Sequence, residues 1–128
     1  MELRTGLSAR VELTVTDADT AQALGSGDVP VLATPRLVAL AEAATVAATA
    51  GHLAPGATSV GTRVELDHQA PTAIGHHVSV LAVLAKVDGR RLYFDIVVRE
   101  GAEQIAEGRV ERVVVDRQRF VNKAFEAA

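Results

Sequence analysis

The sequence has no cysteine and no tryptophan, and aromatic residues make up only 3% of its 128 positions. The absence of cysteine excludes disulfide bonds, thiolate metal ligands and a cysteine nucleophile. No apolar run approaches the roughly 18 to 20 residues of a membrane-spanning helix, and the first residues lack the hydrophobic region of a signal peptide. We therefore expect a soluble, cytoplasmic protein without a membrane partner.

Several common functional motifs are also missing. The formal net charge is -3 and no block of basic residues occurs, so the chain lacks the positive surface that nucleic-acid binding requires. The glycines form neither a phosphate-binding loop nor a dinucleotide fingerprint, and no Gly-x-Ser-x-Gly nucleophile elbow is present. The histidines show no metal-ligand spacing. We therefore expect no nucleic acid, no metal and no resident cofactor.

Apolar residues are plentiful, at 48% of the chain, and can build one core from alanine, valine and leucine. We expect a single domain over residues 1–128. Alternation of apolar and polar residues predicts a first strand at residues 10–16. Residues 17–24 predict a short helix, and the glycines and proline of residues 25–30 predict a loop after it.

The clearest helix begins at Thr34 and Pro35 and ends at Gly51. A hydroxyl side chain at the N-cap followed by proline at the first helical position is a strong start signal. Almost every position in between is apolar, which is typical of a buried helix. Other elements must therefore pack around it.

Four runs rich in β-branched and apolar residues follow this helix and are predicted strands, at residues 60–68, 77–87, 91–99 and 103–115. Asp88 and Gly89 predict a tight hairpin, so the last three strands should be antiparallel neighbours. One long apolar helix with five strands favours an α+β fold, in which a curved antiparallel five-stranded sheet wraps around the helix. Such a layer leaves a sheet edge and part of the helix uncovered, so we expect at least a homodimer.

Two polar residues occupy positions where the pattern predicts apolar ones. Glu42 lies in the middle of the apolar helix, where an unpaired buried carboxylate would destabilise the fold or take up a proton. His68 ends a strand on the same face as Val64 and Leu66, so its imidazole should point toward the core. The alternatives are that Glu42 marks a solvated helix edge and that His68 is a structural core residue.

Two further residues have simpler explanations. N-capping accounts fully for Thr34. Arg112 shares a strand face with Val110 and Val114, so it either points inward, toward Glu42 or a ligand, or lies in solvent at the strand edge. The other histidines are interpreted as structural or surface residues, namely His52, His76 and His77.

In combination these residues resemble the hot-dog-fold thioesterases, and among them the fluoroacetyl-CoA thioesterase type. The similarity extends over residues 29–120 and includes Thr34 followed eight residues later by Glu42 in an apolar helix. The other matching segments are Gly61-Thr-Arg-Val-Glu-Leu-Asp-His68, Asp88-Gly-Arg-Arg-Leu92, Gly108-Arg-Val-Glu-Arg112 and Arg119-Phe120-Val-Asn-Lys123.

The resemblance implies a hydrolase of the hot-dog fold that cleaves a short-chain acyl-CoA-type thioester to free acid and CoA, with CoA as part of the substrate. It implies Thr34, Glu42 and His68 as the catalytic set at a dimer interface, with Gly61 and Arg112 as substrate-binding or supporting residues. Thr34, Glu42 or a water molecule is the nucleophile. Fluoroacetyl-specific members carry aromatic residues before the catalytic helix, whereas residues 17–33 contain none, so we expect a different or broader range of short acyl groups.

Two other functions are compatible with parts of this pattern. A non-catalytic module that binds or senses acyl-CoA can be built on the same fold, because fold does not determine function. Hydratase or dehydratase chemistry would require an aspartate and a histidine close together on the helix, and the helix offers only Glu42.

Overall fold

The computed structural model describes residues 2–126. Strand β1 (Ser8–Thr14) leads through a 3₁₀ turn (Asp17–Asp19) into the short helix α1 (Ala21–Leu24) and the long helix α2 (Thr34–Thr49). Four strands and a final helix follow, β2 (Ala57–His68), β3 (His77–Asp88), β4 (Arg91–Glu100), β5 (Glu103–Asp116) and α3 (Arg117–Glu126). In the part of the chain that is described, no helix is long and apolar enough to cross a membrane.

The five strands form one antiparallel sheet in the order β1-β3-β4-β5-β2. The predicted pairing of the last three strands as antiparallel neighbours is confirmed, because β4 pairs with both β3 and β5. Strand β2 lies beyond β5, with Ala57 opposite Asp116 and His68 opposite Ala106. Strands β1 and β2 are therefore the two edges of the sheet.

Helix α2 packs across one face of the sheet, mainly against β1 and β3. The buried side of the helix joins a single core with β3, β4 and β5, to which it contributes Leu37, Leu40, Ala41, Ala44 and Ala48. Thr45 and Thr49 are buried on the same helix. The α+β arrangement predicted from the sequence is confirmed. Burial nearly all around the helix is not observed within one chain, because a single sheet covers only one side. After its first turn, the exposed stripe of α2 consists of Ala39, Ala43, Val46 and Ala47.

The start of α2 differs from the prediction in one respect that affects the site. The N-cap is Ala33, and no side chain caps the helix. Thr34 is the first helical residue and Pro35 the second. The N-capping role assigned to Thr34 is therefore wrong, and its hydroxyl is available for another partner.

Helix α3 was not predicted from the sequence. Its apolar residues Phe120, Val121 and Phe125 lie on one side of the helix but are exposed, and none of its side chains is buried. It is held at its start instead, where the amide of Arg117 donates to the carbonyl of Gly56 and Oδ1 of Asp116 accepts from the amide of Arg119, at 2.9 Å in both cases.

The face of the sheet that points away from α2 carries Tyr93 of β4. Lys86 lies opposite Tyr93 on β3, and its Nζ is 5.3 Å from the centre of the ring. A cation over an aromatic face at this distance contributes about 0.5–1 kcal/mol at an exposed position. This contact links β3 to β4 beside the irregular pairing between Leu84 and Lys86.

Candidate active site

Thr34 and His68 meet at one end of the sheet. Thr34 begins α2 and His68 ends β2, and Oγ1 of Thr34 lies 2.8 Å from Nδ1 of His68. The direction of this hydrogen bond depends on the tautomer of the imidazole. A hydroxyl group within hydrogen-bond reach of a base is the arrangement that nucleophilic or general-base chemistry requires.

The surroundings of His68 favour its neutral form. Its imidazole lies on the inner side of β2, as strand alternation predicts, and Nε2 is buried with no hydrogen-bond partner among residues 2–126. Burial lowers the pKa of His68 below its usual value of 6.5, and the backbone of Ala70 partly opposes this shift. A neutral imidazole at neutral pH is able to take up a proton during a reaction.

Glu42 forms a second pair with Arg112 of β5. Nη1 of Arg112 is 3.3 Å from Oε2 of Glu42. The other side of the guanidinium is fixed by Ser59, because Nε donates to its Oγ at 2.8 Å and Nη2 donates to its carbonyl at 2.9 Å. Arg112 is only 6% exposed, so the alternative that placed it in solvent is wrong.

Burial distinguishes the two members of this second pair. The side chain of Arg112 is 7% exposed, whereas that of Glu42 is 38% exposed. Burial lowers the pKa of Arg112, and the charge of Glu42 opposes the shift, so the guanidinium stays protonated at neutral pH. The arginine therefore orients a carboxylate that remains accessible from one side.

Gly61 of β2 makes room for this carboxylate. A Cβ atom at position 61 would collide with Oε2 of Glu42 and would lie 3.4 Å from Nη1 of Arg112. The resemblance implies a substrate-binding or supporting role for Gly61. In the structure the group that approaches it is the side chain of Glu42.

The three residues of the expected catalytic set do not all meet within one chain. Thr34 contacts His68, and Glu42 contacts Arg112 beside Gly61. Eight residues along an α-helix correspond to about 12 Å, so Thr34 and Glu42 lie roughly two turns apart. We refer below to the Thr34–His68 pair and the Glu42–Arg112 pair.

A cavity of about 330 Å³ opens beside the Thr34–His68 pair. Its size is at the lower end of the range for small-molecule sites. The other lining residues are mostly small or aliphatic, and none of those described is aromatic: Ala21, Ser26, Gly27, Val29, Val31, Leu32, Gln69, Ala70 and Pro71. Within residues 2–126, no three His, Asp or Glu side chains are grouped so that they could hold a metal ion.

Reasoning from the sequence missed the contacts of three further residues, namely Asp19 and Arg36 near the start of α2 and Ser59 beside Arg112. Asp19 is 7% exposed and accepts a hydrogen bond from Nε of Arg36 at 2.8 Å. A signal for this contact exists in the sequence, because an arginine in the first turn of a helix opposes the helix dipole and requires an explanation. Ser59 offers no comparable signal, since a serine in a strand has many possible partners.

Comparison with known proteins identifies the family. The sequence model of the family FlK, described as fluoroacetyl-CoA-specific thioesterase, matches residues 15–118. The fluoroacetyl-CoA thioesterase of Streptantibioticus cattleyicolor is 40% identical over 90 residues, which are 70% of this chain and 65% of that protein. The match thus spans just under two thirds of the relative's length.

Solved structures agree with this assignment. A mutant of the fluoroacetyl-CoA-specific thioesterase FlK, crystallised with fluoroacetate and CoA, is 33% identical with a TM-score of 0.85, covering 92% of this chain and 99% of that chain. A hot-dog-like protein from Thermanaerovibrio acidaminovorans, at 23% identity, matches in fold with a TM-score of 0.90 over 98% of this chain and 93% of that one. The expected hot-dog fold is confirmed, and the chain belongs to the fluoroacetyl-CoA-specific thioesterase family.

Proposed function

We propose that this protein is a thioesterase that hydrolyses a short-chain acyl-CoA thioester to the free acid and CoA. The observation that carries the proposal is the 2.8 Å contact between Oγ1 of Thr34 and Nδ1 of His68 at the wall of an apolar cavity. Membership of the FlK family supports it, as does a relative crystallised with fluoroacetate and CoA, a free acid and a free thiol of the kind that this reaction releases.

The Thr34–His68 pair supplies the reactive hydroxyl and the base. Neutral His68 accepts the proton of the Thr34 hydroxyl, or of a water molecule in its place, as the oxygen attacks the acyl carbon. His68 then returns that proton to the departing thiolate of CoA. Where Thr34 is the nucleophile, a water molecule then hydrolyses the acyl–Thr34 ester, with His68 again as the base, and the free acid is released. Backbone N–H groups in the first turn of α2, apart from the one that Pro35 lacks, are suited to stabilise the negative oxygen of the tetrahedral intermediate.

Glu42 enters the site, in this proposal, from a second copy of the chain. Strand β2 is an edge strand, and the exposed stripe of α2 is free of charge, so both surfaces favour association. Suppose that two β2 strands pair antiparallel about a two-fold axis between Val64 and Glu65. Gly61, with Glu42 beside it, then lies opposite His68 of the partner subunit. The homodimer would thus join the two pairs that are separate in one chain.

The cavity supports a preference for acyl groups other than fluoroacetyl. Its walls are mostly small or aliphatic, and residues 17–33 contain no aromatic side chain that could narrow it. Each additional buried methylene contributes about 0.8 kcal/mol, or roughly a factor of four in affinity. We expect kcat/KM to rise from acetyl-CoA to propionyl-CoA and butyryl-CoA, and Val29→Phe to reverse this order by filling the cavity.

One observation favours a second candidate function, a non-catalytic module that binds acyl-CoA. Within one chain Glu42 is paired with Arg112 and does not contact His68. In a binding module the Glu42–Arg112 pair would have a structural role only. Acyl-CoA would then raise the melting temperature without being consumed.

The test is release of free thiol from a panel of short acyl-CoA thioesters. We expect the purified protein to release thiol, and His68→Ala and Glu42→Gln to slow the release by about 10²- to 10⁴-fold. The matched control is His76→Ala, because His76 is 56% exposed, bonds Glu100 and does not line the cavity. Full activity in both site variants would refute the proposal, and thermal stabilisation without thiol release would support the binding module.

A further inference from the structure

Asp19 and Arg112 are the two charged residues that are less than a tenth exposed among residues 2–126. Arg112 belongs to the candidate site, whereas Asp19 lies in the turn between β1 and α1. Its Oδ2 accepts hydrogen bonds from N and Oγ1 of Thr16, both at 2.8 Å, and its Oδ1 accepts one from Nε of Arg36 at 2.8 Å. These three donors explain how a carboxylate is tolerated at this position.

The contacts of Asp19 lie on both sides of Thr34 in the sequence. Its carbonyl accepts a hydrogen bond from the amide of Ala33 at 2.9 Å, and its carboxylate holds the side chain of Arg36. Ala33 is the N-cap of α2 and Arg36 lies in its first turn. One buried residue therefore fixes the backbone before Thr34 and the helical turn after it.

The position of Arg36 in the first turn of α2 would be electrostatically unfavourable without Asp19. A cation in the first turn opposes the positive end of the helix dipole, whereas a carboxylate is favourable there. The carboxylate of Asp19 provides that negative charge from outside the helix, and it binds the helix through the side chain of Arg36.

We propose that Asp19 and Arg36 are positioning residues that hold the first turn of α2 so that Oγ1 of Thr34 stays within hydrogen-bond distance of Nδ1 of His68. This inference rests on the proposed function, in which the Thr34–His68 pair is reactive. Neither Asp19 nor Arg36 lines the cavity, so neither contacts the acyl group. The contact between Asp19 and Arg36 also stabilises one wall of the cavity. The segment that contains Asp19 continues into Ala21, whose amide donates to the carbonyl of Val31.

The experiment compares Asp19→Asn, Arg36→Met and their double variant with Arg36→Lys and Thr20→Val. Thr20 is the matched control, because it is 3% exposed and its hydroxyl bonds Asp17 and Ala23 in the same segment without touching Arg36. We expect kcat to fall about 10- to 100-fold in Asp19→Asn and Arg36→Met with KM unchanged, and the double variant to be no worse than either single one. Arg36→Lys should recover part of kcat, and Thr20→Val should lose thermal stability but keep kcat.

A second measurement requires no turnover and therefore separates this inference from the proposed reaction. The ¹⁵N chemical shifts of the His68 ring report its hydrogen bond to Thr34. We expect Thr20→Val to keep the wild-type shifts, and Asp19→Asn and Arg36→Met to change them. Wild-type shifts and kcat in folded Asp19→Asn and Arg36→Met would overturn the inference. So would an equal loss of kcat in Thr20→Val at a matched loss of melting temperature. A protein that cleaves no thioester would refute the proposed function alone.

Discussion

Arg112 uses three nitrogen atoms in three directions, toward Oε2 of Glu42 and toward Oγ and O of Ser59. A lysine ammonium at the same position is a single point that cannot reach all of these acceptors. We expect Arg112→Lys to lower the free energy of unfolding by about 1–3 kcal/mol, measured by urea denaturation. The control is Arg109→Lys, whose side chain is 77% exposed and should change stability by less than about 0.5 kcal/mol.

His68 gives the stability of the protein a specific pH dependence. Because burial lowers the pKa of His68, the unfolded chain takes up a proton near pH 6.5 while the folded chain resists it. The contribution of neutral His68 is therefore fully present above about pH 6.5 and is lost as the pH falls toward the lower folded pKa. We expect His68→Gln to lose less stability than wild type between about pH 7.5 and about pH 5.5 in urea titrations.

At the scale of elements, the site depends on how closely α2 approaches β2 at Gly61. In Gly61→Ala the added Cβ must displace the flexible end of the Glu42 side chain and not the backbone. We therefore expect the free energy of unfolding to fall by less than about 1 kcal/mol. The rate of thiol release should fall by more than this small loss of stability can explain. The Glu42→Ala background is the control, because there the collision is absent and Gly61→Ala should have no further effect on stability. A large loss of stability in both backgrounds would contradict this account.

The sequence predicted the elements better than the contacts between them. Alternation and the Asp88-Gly89 turn located the strands to within a few residues, because those signals are local. The partner of Thr34 lies 34 residues away, and no local pattern specifies such a pairing. For Arg112, strand alternation gave only the alternatives of an inward position toward Glu42, 70 residues away, and a position in solvent. A hydroxyl at a helix start looks like a cap until the imidazole beside it is known. Helix α3 was missed for a different reason, since it is short and mostly polar and its few apolar residues, Phe120, Val121 and Phe125, do not join the core.

At the scale of the whole molecule, the separation of the two pairs makes a dimeric site testable by mixing inactive variants. A dimer of one His68→Ala chain and one Glu42→Gln chain has one intact site if Glu42 acts on the partner subunit. A statistical mixture would then recover about a quarter of wild-type thiol release. If both residues serve the same chain, every site in the mixture is defective and no activity returns. Equilibrium sedimentation of the mixture checks that dimers form.

The position of Tyr93 determines how ligand binding to this protein can be followed by intrinsic fluorescence. Tyr93 is the single tyrosine and tryptophan is absent, so nearly all intrinsic emission comes from the sheet face that points away from the cavity. Emission will therefore follow the unfolding of β3 and β4 and stay constant when acyl-CoA binds. A Val29→Trp variant would place the dominant fluorophore at the cavity wall, where quenching by the adenine of CoA would make ligand entry visible.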